Sequence, residues 1–290
     1  MIWIAAGTEE GRRIAKALIE KNRKIMVSVT TEYGGSLLKK ELQKKEFQKR
    51  ELHEKEFQKT ELGREKKAET NNNDTKNWTI IDRALDYEEM GKILQEFPIT
   101  KIVDATHPYA DKVSNNLITL AKENNISYFR YERPSLKDLL QRETGEHEKK
   151  NILWVKNTGE AIEALRNRQG NVLLTTGSKT LGDYLKVLET SRIYARVLPV
   201  PKVMEECRAL GLPAGQILGM QGPFSTEFNQ ATLEEYNIEA LVTKDSGVIG
   251  GVLEKIRGAL KAKAKIIIID RPDVAYPKVF SDMKALVEQL

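Results

Sequence analysis

The chain of 290 residues, 40% of them hydrophobic, is long enough for two domains, each with its own core. Its single cysteine, Cys207, excludes an internal disulfide and a multi-thiolate metal site and fits a reducing cytoplasm, and no apolar run approaches the ~18 residues needed to cross a membrane. The net charge of +5 is local: residues 39–67 hold 11 Lys and Arg against 7 Asp and Glu, leaving 36 against 35 elsewhere, which argues against a nucleic-acid-binding face.

Met1-Ile2-Trp3-Ile4 runs directly into a strand pattern with no basic leader, so neither export nor membrane insertion is expected. Ile2–Ala6 is the first predicted strand, and Gly7-Thr8-Glu9-Glu10-Gly11 turns it into a helix whose apolar face is Ile14, Ala17 and Leu18. This is half a dinucleotide fingerprint, with the helix N-terminus available to a phosphate but the middle glycine of G-x-G-x-x-G missing. Gly7, Thr8 and Gly11 are therefore candidate cofactor contacts. Ile25–Thr30 reads as the second strand and sets Thr30, Thr31 and Glu32 about 20 residues past Gly11, where such folds meet the adenosine ribose. Glu32 suits a free 2′-hydroxyl and the threonines tolerate a 2′-phosphate, so NADH and NADPH both stay open.

Residues 39–76 interrupt this grammar. Glu41–Arg50 is nearly repeated by Glu51–Thr60, and Glu61-Leu62 begins a third copy. Its apolar residues Leu42, Phe47, Leu52, Phe57 and Leu62 recur every five positions, about 140° apart around a helix, so they form no single face. A solvated helix or disordered insertion is expected, with His53 exposed.

Order returns with a strand at Trp78–Asp82 and a helix facing Met90, Ile93 and Leu94 inward. Lys101–Asp104 is the next strand, and Thr106-His107-Pro108 stops it before a helix with Val113, Leu117, Leu120 and Ala121 on one face. Ligands of open α/β sheets lie at the carboxyl ends of strands, which puts Asp104, Thr106, His107 and Tyr109 beside a pocket; a polar turn holding a helix cap is the plainer alternative. Tyr128–Tyr131 makes a fifth strand ending in Glu132-Arg133-Pro134, and the charged stretch 136–150, with His147, links to a second domain. The expected domains are 1–135 and 136–290.

The second half repeats the pattern, with strands at Ile152–Val155, Val172–Thr176, Arg192–Val197, Ile217–Leu218, Ala240–Lys244 and Ile266–Ile269, the last capped by Asp270-Arg271-Pro272 in an echo of Glu132-Arg133-Pro134. Alternating strands and helices predict an α/β chain of two Rossmann-like domains with mainly parallel sheets. Thr175-Thr176-Gly177-Ser178-Lys179 and Thr243-Lys244-Asp245-Ser246-Gly247 combine glycine, hydroxyls and a lysine, a composition suited to gripping phosphate or carboxylate and equally to capping a helix. Thr176, Gly177, Ser178, Ser246 and Gly247 join the candidate cofactor contacts. Histidines 53, 107 and 147 lack ligand spacing, so no metal site is expected, and neither a G-x-S-x-G elbow nor a P-loop occurs. Difficult chemistry would then fall to a bound cofactor.

Gly7-Thr8-x-Glu10-Gly11-Arg12, Val103-Asp104-Ala105-Thr106-His107-Pro108-Tyr109-Ala110, Tyr131-x-Arg133-Pro134, Gln221-Gly222-Pro223-Phe224-Ser225 and Thr243-Lys244-Asp245-Ser246-Gly247 occur in this order. Together they resemble the precorrin-6A and cobalt-precorrin-6A reductases of vitamin B12 biosynthesis, over nearly the whole chain except residues 39–76. The resemblance implies a cytosolic enzyme that uses NADPH or NADH to saturate one double bond of a polycarboxylate corrin-precursor macrocycle, held in a cleft between the domains. It implies no nucleic-acid or membrane partner, and other cobalamin-pathway enzymes are candidate partners. Arg12, Arg133, Lys179 and Arg196 are then candidate substrate contacts, with Arg130, Lys244 and Arg271 as further cations near loop ends. His107 and Tyr109 lead as proton donors, with Lys244 and Asp245 behind them. The rival readings are a doubly wound transferase for a nucleotide-sugar or S-adenosylmethionine, and a non-catalytic dinucleotide sensor that reaches a partner through its charged repeat.

Overall fold

The computed structural model describes residues 1–32, 34–44, 77–143, 145–247 and 251–290. Within them the chain forms two compact units, residues 1–132 with 274–290, and residues 133–273. Each is built on a six-stranded sheet in which every pairing is parallel. Both are α/β and Rossmann-like, as the alternation of elements predicts.

The first sheet comprises β1 (Ile2–Ala5), β2 (Ile25–Ser28), β3 (Trp78–Ile81), β4 (Lys101–Asp104), β5 (Ser127–Tyr131) and β12 (Val279–Phe280), in the order β12-β5-β4-β1-β2-β3. Its central strand β1 is buried at every position, because helices cover both faces. Ile2 and Ile4 pack with Ile14, Ala15 and Leu18 of the helix Glu9–Glu20. Trp3 and Ala5, one residue out of phase, pack with Met90, Ile93, Leu117 and Leu120 on the opposite side.

Two expectations change here. Residues 274–290 belong to the first unit rather than the second: β12 pairs with β5 through Val279 with Arg130 and Phe280 with Tyr131, and Leu286, Val287 and Leu290 enter the first core. A two-residue strand has too little periodicity to announce itself. The insertion also begins as core rather than as solvated chain. Residues 34–44 are helical, and Leu38 and Leu42, one turn apart, are both fully buried against β1 and β2. The rest of the decamer repeat, with His53, lies outside the described residues.

The second sheet comprises β6 (Ile152–Val155), β7 (Asn171–Leu174), β8 (Ile193–Val197), β9 (Ile217–Gly219), β10 (Ile238–Lys244) and β11 (Lys265–Ile269), ordered β6-β11-β10-β7-β8-β9. Leu173, Leu241, Ile266 and Ile268 from its inner strands pack with Val252, Ile256 and Ala259 of the helix Val252–Lys261.

Candidate functional sites at two strand reversals

In the first unit the strand order from β3 to β12 is the 3-2-1-4-5-6 arrangement of dinucleotide-binding folds, and the chain reverses direction across the sheet between β1 and β4. Ala5 is in register with Asp104, so the two turns beyond these residues are neighbours. A Cβ on Gly7 would stand 3.5 Å from the His107 backbone nitrogen and 3.6 Å from Thr106 Cα. The other members of the half-fingerprint shape the turn instead. Thr8 Oγ1 donates to the Ala105 carbonyl at 3.0 Å and accepts the Gly11 N–H at 3.4 Å, capping the helix. A Cβ on Gly11 would fall 2.6 Å from Ala6 Cβ, so this glycine lets the helix lie on the strand. Thr30 is exposed just beyond the end of β2, and Thr31 Oγ1 accepts the Gly34 N–H at 3.1 Å.

Asp104 is a structural hub rather than part of a pocket mouth. It is fully buried and accepts from Thr106 N (3.0 Å), Thr106 Oγ1 (2.7 Å), Ser114 Oγ (2.6 Å), Tyr128 OH (2.7 Å) and Arg130 Nη1 (2.8 Å). Burial, then the Asp104 carboxylate, push the Tyr128 hydroxyl far above the usual phenol range, which keeps it a donor. Arg130 is locked as well, donating through Nε to Glu132 at 2.7 Å with its guanidinium 4.9 Å from the Tyr276 ring centre. The network fixes the turn that follows, where His107 and Tyr109 are half-buried with ring centres 5.6 Å apart. His107 Nδ1 accepts the Tyr109 N–H at 3.3 Å, so in the neutral ring Nε2 carries the proton. Arg12, expected to meet substrate, pairs with Glu41 at 3.8 Å, and Lys16 shares the same carboxylate.

In the second unit the reversal falls between β7 and β10, where Leu174 is in register with Val242. The two glycine, hydroxyl and lysine loops therefore leave adjacent strand ends, although they are 68 positions apart in the sequence. Gly177 is exposed, Ser178 opens a short 3-10 turn, and Thr176 is buried with its hydroxyl 3.1 Å from that of Thr180. Lys244 is half-buried; burial, then the nearby Lys179 charge, pull its pKa down. The Lys179 charge is thus close enough to act on Lys244, and two cations beside glycine and hydroxyls suit an anion.

Asp245, a candidate proton donor in the sequence, is withdrawn from this surface. Fully buried, it accepts from Ser135 Oγ (2.8 Å), Gly247 N (3.0 Å) and Arg271 Nη2 (3.4 Å), and these bonds organise the loop. Arg133, expected on substrate, donates to the Ser246 carbonyl at 2.8 Å, and Arg271 donates to the Arg133 carbonyl at 2.6 Å. Gly247, with φ +80°, permits this closeness: a Cβ there would lie 2.8 Å from Arg133 Cβ. The echo of Glu132-Arg133-Pro134 in Asp270-Arg271-Pro272 thus ends in one latch on the Asp245–Gly247 loop.

Lys255 escaped the sequence reading. From the first turn of the helix Val252–Lys261 its Nζ donates to Thr243 Oγ1 at 2.9 Å and Thr175 Oγ1 at 3.1 Å. Burial, then the Arg196 charge, bring its pKa down to about 7. Arg196 is buried, donates to Asn229 Oδ1 at 2.9 Å and lies 5.0 Å from the Phe224 ring centre; burial lowers its pKa to about 10. Both cations line a cavity of about 250 Å³ together with Thr175, Gly177, Met220 and Phe224. The available signal was a lysine in a first helical turn, where the helix dipole disfavours it.

A family model described as "Precorrin-6x reductase CbiJ/CobK" matches residues 1–62 and 62–290. The chain belongs to this family. The two matched stretches of the precorrin-6x reductase model meet at residue 62, inside the decamer repeat. Among relatives, a protein of Methanocaldococcus jannaschii named cobalt-precorrin-6A reductase is 37% identical over 211 residues, covering 73% of this chain and 80% of the relative. A Methanococcus maripaludis protein of the same name is 32% identical over 295 residues, covering 100% of this chain and 98% of its own. A solved structure titled "CobK precorrin-6A reductase" superposes with a TM-score of 0.68 at 17% identity, covering 100% of this chain and 95% of that one, and so shares the fold. Within this member of the family, the half-fingerprint and the His107 turn fall together at the first strand reversal and the two lysine loops at the second.

Proposed function

We propose that the chain reduces one double bond of precorrin-6A or its cobalt form with NADPH or NADH, giving the 6B product. The observation that carries this reading is the 3-2-1-4-5-6 strand order with Gly7 against the His107 turn at its reversal point, in a chain of the precorrin-6x reductase family. The fit to a dinucleotide is local: the helix Glu9–Glu20 starts beside a glycine, and Thr30 stands at the end of β2. A bound reduced nicotinamide supplies a hydride to one carbon of the ring, and the adjacent carbon takes a proton, so the substrate gains two electrons and the cofactor is oxidised.

Around that chemistry, Gly7 and Thr30 bind the cofactor, while Thr8 and Gly11 hold its turn in shape. His107, protonated on Nε2 and kept in place by the Tyr109 N–H, delivers the proton, and the Tyr109 ring lies tilted beside it. Gly177, Ser178, Lys179, Lys244 and Ser246 grip an anionic group, and Asp245, Arg133 and Arg271 keep their loop in register. The test is an anaerobic assay of precorrin-6A and cobalt-precorrin-6A with each reduced nicotinamide, following cofactor oxidation and the mass of the macrocycle. A gain of two hydrogens, dependent on substrate, is expected. No substrate-dependent oxidation of either cofactor would overturn the reading.

A further inference from the structure

We propose that Lys255 and Arg196 form a subsite for an aliphatic carboxylate, which on the reductase reading above is one acid arm of the macrocycle. The first argument is missing charge. Buried cations in folded proteins are ordinarily paired with a carboxylate. Here Lys255 has two threonine hydroxyls and Arg196 has an amide oxygen and a ring face. No Asp or Glu is present among the described residues lining their cavity. Thr175 Oγ1 also donates to the Val242 carbonyl at 2.9 Å, so its lone pairs face the ammonium and aim it.

The second argument is position. Lys255 occupies the first turn of its helix, behind the cap residue Gly251, where the aligned peptide dipoles already present positive charge. A lysine there, next to an arginine, adds to that positive charge, and Glu254, the acidic residue of the same turn, is not among the cavity's described lining residues. The third is shape. The cavity, about 250 Å³, is large against the ~30 Å³ of a water. Leu198, Met220, Pro223 and Phe224 give it apolar walls beside the two cations. An alkyl chain ending in a carboxylate satisfies both surfaces, whereas a hydrated phosphate would sit on the apolar wall without partners.

Proton linkage follows. Arg196 on β8 is the charged group facing Lys255, and Thr175, Thr243 and Asn229 from the other elements are neutral. With its pKa lowered to about 7, Lys255 is largely neutral in mildly alkaline solution, and an arriving carboxylate restores the ammonium by drawing a proton from solvent.

The experiment is a ¹⁵N NMR titration of the Lys255 side chain in the full chain, with sodium propionate in one arm and inorganic phosphate in the other. Propionate is expected to raise the Lys255 titration midpoint by about one pH unit, and phosphate to leave it in place. A midpoint unmoved by propionate, or moved by phosphate alone, overturns the proposal. Because this readout needs no turnover, propionate binding in a chain that fails the reductase assay would sink the substrate reading and leave the subsite standing. In the reductase assay, Lys255→Gln is expected to raise KM for the macrocycle about tenfold with kcat little changed, and Lys255→Arg to recover most of the loss. A kcat loss at unchanged KM overturns the assignment. A Lys255→Gln chain that unfolds is replaced by Lys255→Met, which keeps the stem and must show the same KM rise.

Discussion

Arg130 Nη1 stands 2.8 Å from Asp104 Oδ1 with both side chains wholly shielded from solvent. Three hydroxyls and one backbone N–H complete the carboxylate's shell, so the charge at the end of β4 is compensated on both oxygens. Removing the cation alone leaves that charge buried. Arg130→Ala is expected to lower unfolding stability by about 3–5 kcal/mol in urea titrations. The Asp104→Asn/Arg130→Met pair should cost less than Arg130→Ala, because no uncompensated charge remains.

Gly7 and Gly11 separate binding from packing. A Cβ on Gly7 makes ordinary contacts at 3.5 Å, whereas one on Gly11 meets Ala6 at 2.6 Å. Gly11→Ala should therefore destabilise the fold by about 1–3 kcal/mol. Gly7→Ala should melt like the parent chain while binding reduced nicotinamide more weakly in a fluorescence titration. Equal melting of both variants would contradict this division.

Leu42 tests where the insertion begins. Read as part of the decamer repeat it is solvated, and Leu42→Ala would be silent. In the structure it is fully buried with Leu38, which predicts a loss of about 2–5 kcal/mol by chemical denaturation. For the same reason a deletion within the repeat should leave residues 34–44 in place.

Lys255 should leave a mark on the pH dependence of stability. Its folded pKa, about 7, lies below the ordinary 10.5, so between these values the unfolded chain binds more protons than the folded one. Stability from this residue is then complete above the unfolded value and is lost as pH falls toward 7. Urea midpoints of the parent chain, relative to Lys255→Met, should rise between pH 7 and pH 10. A flat difference would show that Lys255 titrates normally.

His107 carries the proton-transfer prediction. With Nδ1 engaged by the Tyr109 N–H, the Nε2 proton is the one available for donation. His107→Ala should slow single-turnover reduction by about 10²–10⁴-fold while cofactor affinity is retained. Undiminished single-turnover reduction would remove His107 from the chemistry.

Strand-by-strand alternation, the glycine turn after β1, the His107 turn after β4 and the two lysine loops are legible in the sequence because each depends on neighbours a few positions away. Hydrophobic period, β-branched runs and turn residues are local signals, and the family motifs coincide with them. What only the tertiary structure decides is which residues share an end of a sheet and which charges find partners. Asp104 and Asp245 look like pocket carboxylates in the chain and become buried hubs, because Arg130 on β5 and Arg271 just beyond β11 reach them. Arg12 comes within 3.8 Å of Glu41 and Arg133 donates to the Ser246 carbonyl, neighbours that spacing along the chain does not announce. Lys255 looks like one more polar helix position and meets Arg196 in a cavity without a carboxylate among its described lining residues. A side chain's charge is written in the sequence, but its compensation depends on what the fold brings within a few ångströms, and that is set by strand order rather than by spacing along the chain.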